Sequence, residues 1–197
     1  MDRLILVRHA ESEYSAKGLL SGDPRIAVRL TDTGREQALK LGVKLADEEI
    51  DLCVTSEFAR TVETADLAFA GREIPRLVVS ELNDHPAGDY EGRAIADYLG
   101  WAHASAPTDL IPGTNDTRAA VVARFVRGYA LVLDRAESTI AAILHSLPIM
   151  YLLEAARGVN PVARLGMLPY AEPRELARAD VQGAIERLER WLESPAW

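Results

Sequence analysis

Leu4-Ile5-Leu6-Val7-Arg8-His9-Ala10-Glu11-Ser12 is the stretch on which the fold turns. Leu4 to Val7 is an unbroken apolar run with charge on either side, the pattern of a strand buried on both faces of a parallel sheet. Arg8 and His9 follow it directly. In open α/β sheets ligands bind beyond the carboxyl ends of the strands, so this pair falls where a site is expected. In isolation, an Arg-His pair would be an ordinary surface feature.

Working outward, residues from Arg8 to about Leu30 hold no helical period, and Gly18, Gly22 and Pro24 interrupt them. A loop of that length inside a compact domain is commonly functional. Thr33 and Glu36 have the spacing of a capping box, and Ala38, Leu41, Gly42 and Leu45 then share one helical face. Leu52 to Thr55 reads as a second buried strand, and Phe58, Val62, Ala65 and Phe69 mark a second helix. Arg76 to Ser80 is a third strand candidate, followed by an irregular stretch containing Pro86, Gly88 and Gly92. A short helix is expected over Arg93 to Leu99, a loop over Pro107 to Gly113, and a longer helix over Thr117 to Ala136. Thr139 to Leu144 is the fourth strand and feeds a helix from about Pro148 to Arg157. Val181, Ala184, Leu188 and Trp191 line one face of a terminal helix. Strands alternating with helices imply an α/β fold whose parallel sheet is covered on both faces. No repeat or linker interrupts it, so residues 1–197 read as a single domain.

Composition narrows the function classes. The 197 residues are 48% hydrophobic and 26% charged, which is ordinary globular usage. Thirty acidic against 22 basic residues give a formal charge of -8, unlike a protein that draws its affinity from nucleic-acid phosphates. Cys53 is the only cysteine, which excludes an intramolecular disulfide and a Cys-rich metal site. No His-x-x-x-His or His-Glu-x-x-His spacing offers a metal site either. No apolar run approaches the roughly 20 residues that span a bilayer, and Met1 to Ile5 has no signal-peptide pattern. A cytoplasmic protein with no membrane partner is expected, and a homodimer is compatible with the chain.

His145 comes directly after the fourth strand, and Arg60 lies in the first turn of the helix after the second. Three strand ends thus direct two imidazoles and two guanidiniums, Arg8 and Arg60, toward one crevice. That set suits a phosphate monoester. Planar Arg forks bind its oxygens bidentately, and a neutral imidazole can attack phosphorus to give a phosphohistidine. The second imidazole and both guanidiniums would stabilise charge on the transferring group.

The later motifs fall in an order that resembles the histidine phosphatase superfamily, in its phosphoglycerate-mutase-like branch. Leu6 to Ser12 is similar to that family's signature. Leu30-Thr31 with Gly34, Gln37 and Ala38 resembles its first helix start, and Thr55-Ser56, Arg60 and Thr64-Ala65 its second-arginine segment. Leu82-Asn83-Asp84 with Gly88 and Glu91-Gly92 resembles the acid-donor segment. Pro112-Gly113 resembles a family loop and Leu144-His145-Ser146 the second-histidine motif.

The resemblance implies a three-layer α/β/α sandwich with a mostly parallel central sheet, phosphoryl transfer through His9, and a phosphate pocket completed by Arg8, Arg60 and His145. It implies no cofactor and no metal. The proton donor falls on Asp84, where this branch more often carries Glu, with Glu81 and His85 beside it. Ser15 stands where mutase-like members commonly have Asn, so a hydroxyl would make that phosphate contact. Ala10 replaces the usual glycine, and its methyl group would narrow the approach to His9. Leu144 and Leu147 surround His145 where smaller residues are usual.

The acceptor separates the two enzyme readings. A phosphatase delivers the group to water, while a mutase excludes water and needs extra cations for a second anionic group. Lys17, Arg25 and Arg29 are the candidates for such contacts. With most of the chain spent on core elements, hydrolysis of a small phosphorylated metabolite is the expectation, and a cofactor-dependent phosphoglycerate mutase is the alternative. A non-catalytic binding module would have lost the nucleophile or an arginine, and neither is missing.

Overall fold

The computed structural model describes residues 1–197. Strands β1 (Arg3–Arg8), β2 (Leu52–Thr55), β3 (Arg76–Val78), β4 (Thr139–Leu144) and β5 (Pro173–Ala177) form one sheet in the order β3-β2-β4-β1-β5. The first four run parallel, and β5 lies antiparallel on β1 with Leu4 opposite Leu176.

Alternation along the strands builds two cores. Leu4, Leu6, Val54, Ile140 and Ala142 pack with α5 (Arg118–Leu133), α6 (Ser146–Ala156) and α7 (Arg178–Leu192). Ile5, Val7, Cys53, Ala141 and Ile143 pack with α2 (Asp32–Lys44) and α3 (Ala59–Ala68) on the other face. The result is the three-layer sandwich. It explains why β1 and β4 read as continuous apolar runs, since both faces are buried and each Leu or Ile contributes about 1.5–3 kcal/mol.

Several boundaries differ from expectation for tertiary reasons. α2 starts at Asp32, capped by Thr31, whose hydroxyl accepts the Gly34 N–H at 2.9 Å. The Thr33–Glu36 pair does not set that end. Thr31 does, because its backbone N–H and its hydroxyl both donate to Glu11, at 3.1 and 2.8 Å. Gly34 is required there, since a Cβ would collide with the Glu11 carbonyl. The loop after β1 contains a short helix, α1 (Glu13–Ala16), and α4 spans Ile95–Ala104, later than expected. β3 stops at Val78 and runs into a 3-10 turn over Ser80–Leu82. β5 was not legible: Pro-Arg-Glu-Leu-Ala is mostly exposed and takes its order from the open edge of β1. Pro173 fits as the first residue of an edge strand. No helix is long and apolar enough to cross a membrane.

Candidate active site

The carboxyl ends of β2, β4 and β1, which are neighbours in the sheet, bring the polar groups together. The His9 N–H donates to the Leu144 carbonyl at 2.8 Å, extending the β1–β4 ladder by one residue and fixing the imidazole over the strand end. The next two residues are tied to the flanking helices. The Ala10 N–H donates to the Thr64 hydroxyl at 3.0 Å, and the Glu11 N–H to Gln37 Oε1 at 2.9 Å. Ala10 is fully buried in the apolar cluster with Val7 and Leu30. Its methyl group therefore belongs to the core and does not narrow the approach to His9.

Hydrogen-bond partners assign both tautomers. His9 Nδ1 lies 2.7 Å from the Ala10 carbonyl, which can only accept, so Nδ1 carries the proton and Nε2 a lone pair. Arg60 Nε donates to that Nε2 at 3.1 Å. Arg60 Nη2 donates to His145 Nδ1 at 3.1 Å, so His145 carries its proton on Nε2 and donates it to the Ser56 hydroxyl at 2.8 Å. The two rings meet edge to face with centroids 5.4 Å apart.

Arg60 is the hub of the cluster. Besides both imidazoles it reaches the Ser21 hydroxyl at 3.0 Å, the Ser21 carbonyl at 3.1 Å and Asp84 Oδ2 at 3.4 Å. Its guanidinium lies 4.1 Å over the Phe58 ring. Burial pushes its pKa down to about 10, against the opposing charges of Asp84 and Glu91, so it is cationic at neutral pH. Glu91 holds the Ser21 loop in place, its Oε2 accepting the N–H groups of Gly22 at 2.7 Å and Asp23 at 3.1 Å.

Asp84 is presented by a stapled turn. From α5, Arg124 donates to the carbonyls of Glu81, Asn83 and Asp84 at 2.9, 2.8 and 2.7 Å. Asp84 Oδ1 accepts from the His85 backbone and ring at 3.0 and 3.2 Å. Burial works to raise the Asp84 carboxyl, but the hydrogen bonds from His85 and the charge of Arg60 outweigh it and hold the group below the usual carboxylate range. Arg8 is anchored from a segment without regular structure. It donates to the Leu168 carbonyl at 2.5 Å and lies 3.8 Å over the Tyr170 ring. Ala171 donates its N–H to the Arg8 carbonyl at 3.0 Å with φ at 50°, a left-handed conformation that costs a non-glycine residue on the order of 1 kcal/mol.

Five of the six sequence-derived residues thus converge: Arg8, His9, Arg60, Asp84 and His145. Ser15 is placed differently. Its hydroxyl accepts the Ser12 N–H at 2.8 Å and donates to the Ser12 carbonyl at 2.9 Å, closing the N-terminal cap of α1. To meet a phosphate oxygen it would have to turn its proton away from that carbonyl. Ser21, Arg124 and Tyr170 escaped sequence reasoning, because a serine in an aperiodic loop, one arginine among many and a lone tyrosine carry no spacing signal. Ser56 was visible only through family resemblance.

The family model described as histidine phosphatase superfamily, branch 1, matches residues 4–191. The chain belongs to the histidine phosphatase superfamily. The adenosylcobalamin/alpha-ribazole phosphatase of Salmonella typhimurium is 40% identical over 95 residues, covering 48% of this chain and 46% of that protein. Phosphoglycerate mutase 1 of Saccharomyces cerevisiae is 32% identical over 104 residues, covering 50% and 41% respectively. The chain therefore spans about half the length of the curated relatives it matches. The crystal structure of the alpha-ribazole phosphatase from Shigella flexneri superposes with a TM-score of 0.75 at 27% identity, covering 88% of this chain and 89% of that one.

In this member of the superfamily both imidazoles are held neutral. Burial, reinforced by the Arg60 charge, pushes His9 and His145 well below the ordinary imidazole value. In the unfolded chain both would protonate near 6.5, so below that pH the unfolded state binds more protons and stability falls as pH falls. The loss is about 1.4 kcal/mol per pH unit for each imidazole until the folded values are reached. Urea unfolding between pH 7 and 5 is expected to show this decline, with a shallower slope in His145→Gln. Stability that stays flat over that window would contradict neutral imidazoles.

Proposed function

We propose that the chain is a metal-independent phosphomonoesterase that hydrolyses a small phosphorylated metabolite through a phosphohistidine on His9. The observation that carries this reading is the His9 Nε2 lone pair facing the guanidinium that also binds His145. A phosphoryl group between these residues meets a nucleophile and its charge-stabilising donors in one place.

In the first step His9 Nε2 bonds to phosphorus while the bond to the leaving oxygen breaks, and Asp84 delivers a proton to that oxygen. Asp84 is ionised beside Arg60 and His145, so the proton must be taken up as substrate binds, when a nearby phosphate dianion raises the carboxyl's proton affinity. In the second step water attacks the phosphohistidine, Asp84 takes its proton, and inorganic phosphate leaves. Arg8 and Arg60 stabilise the equatorial oxygens, while His145, its Nε2 proton given to Ser56, holds the Arg60 fork in place through Nδ1. Cationic side chains thereby do the neutralising that a metal does elsewhere. Ser15 would add a phosphate contact only by giving up its bond to the Ser12 carbonyl.

Transfer to water is favoured over a mutase because Lys17, Arg25 and Arg29 are all solvent-exposed, and Arg25 pairs with Asp23 at 2.7 Å. None of the three lines the cavity beside His9. A cytoplasmic location accords with the free, buried thiol of Cys53.

Assay in EDTA against aryl and alkyl phosphates, and against 3-phosphoglycerate with and without its bisphosphate, tests the reading. Phosphate release from monoesters without metal is expected; isomerisation without release would favour the mutase. Asp84→Asn is expected to slow alkyl esters about a hundredfold and aryl esters far less, because only poor leaving groups need the proton. Equal losses on both would remove Asp84 from the acid role.

A further inference from the structure

A cavity of about 150 Å³ opens beside Arg8 and His9, where the leaving group of a phosphoryl substrate must lie. Its walls are formed by Ile95, Tyr98 and Leu99 from α4, Leu147 and Tyr151 from α6, and Leu165 from the segment before β5. Most of the lining is hydrophobic; Arg8, His9 and Asp84 mark the phosphate end, and His85, His103, Arg118 and Ser146 are the other polar side chains. A dry apolar cavity near 150 Å³ accepts a group the size of benzene.

The cationic group on the far side is already engaged. Arg118 donates to the carbonyls of Ala102 at 2.5 Å and of Ser105 and Ala163 at 3.3 Å each, and it lies 4.0 Å over the Trp197 ring. Its buried Nε is left without a partner, and so is the buried Nε2 of His85. Both residues line the cavity. One N–H can meet a single acceptor on a ligand. A carboxylate or second phosphate placed here would exchange its hydration for at most that bond and one from the half-buried His103, against hydrocarbon walls, which is unfavourable.

Building on the phosphatase reading, we infer that the substrates are phosphomonoesters of an alcohol bearing one ring-sized apolar group, with at most one neutral acceptor facing Arg118. The apolar wall selects the leaving group, while Arg8 and Arg60 hold the phosphoryl group. Leu147, as part of that wall, then acts in specificity.

The test compares benzyl phosphate with glycerol 2-phosphate and 3-phosphoglycerate in EDTA. All three release alkoxides, so differences report binding of the alcohol. Benzyl phosphate is expected to exceed each of the others at least tenfold in kcat/KM. Equal or better turnover of either polar ester would overturn the inference and leave the phosphatase reading standing. Leu165→Gln is expected to shrink the benzyl preference at least threefold; an unchanged ratio would remove the cavity as its cause. If no ester is hydrolysed, 4-nitrophenyl phosphate included, the phosphatase reading itself fails and takes this inference with it.

Discussion

His9→Ala is expected to lower kcat/KM by about 10,000-fold or more, the scale at which removal of a covalent nucleophile registers in other hydrolases. The variant should remain folded. The bond that fixes residue 9 to β4 runs from its backbone N–H to the Leu144 carbonyl and survives truncation of the ring. What disappears is the only lone pair set against the Arg60 guanidinium on the β1 side of the pocket. His145 does not take over the role, since its ring is pinned from both sides, by Arg60 at Nδ1 and by Ser56 at Nε2. Steady-state kinetics on an aryl phosphate, with circular dichroism to check folding, gives the answer. Activity within tenfold of the parent would mean that water attacks directly.

Arg60→Ala is expected to cost about 100- to 1,000-fold in kcat/KM, more than the loss of an ordinary charge contact. Its fork holds the relative positions of both imidazoles, Asp84 and Ser21, so truncation removes transition-state stabilisation and lets four groups drift. Arg60→Lys should restore little. An ammonium is a point charge and cannot reach His9 and His145 from two nitrogens of one plane. The loss should appear mainly in kcat, because Arg8 still binds the ground-state phosphate. A loss below tenfold, or full rescue by lysine, would contradict the hub role.

The sequence made the sheet core legible because both of its faces are buried. β2 and β4 lie where their apolar runs place them, and β1 extends its run by one residue at each end. It failed at β5, whose order comes from the edge it joins, and at the start of α2, whose cap is chosen by a contact with Glu11 rather than by local spacing. In the site, the residues at strand ends were readable since topology alone sends them to one crevice. Asp84 needed the family resemblance. Arg124 and Tyr170 were invisible, because each acts through distant backbone or a guanidinium across the fold, at Asp84 and Arg8 respectively. The apolar cavity was equally hidden: its walls come from three segments that share no sequence pattern.

The most direct test of a histidine nucleophile is the chemistry of the trapped intermediate. Protein mixed with a phosphate-labelled aryl ester and denatured within the first turnover should carry label that survives alkali and is lost in acid, as a phosphoramidate must, and His9→Ala should carry none. Label that survives acid, or that persists undiminished in His9→Ala, would contradict the account.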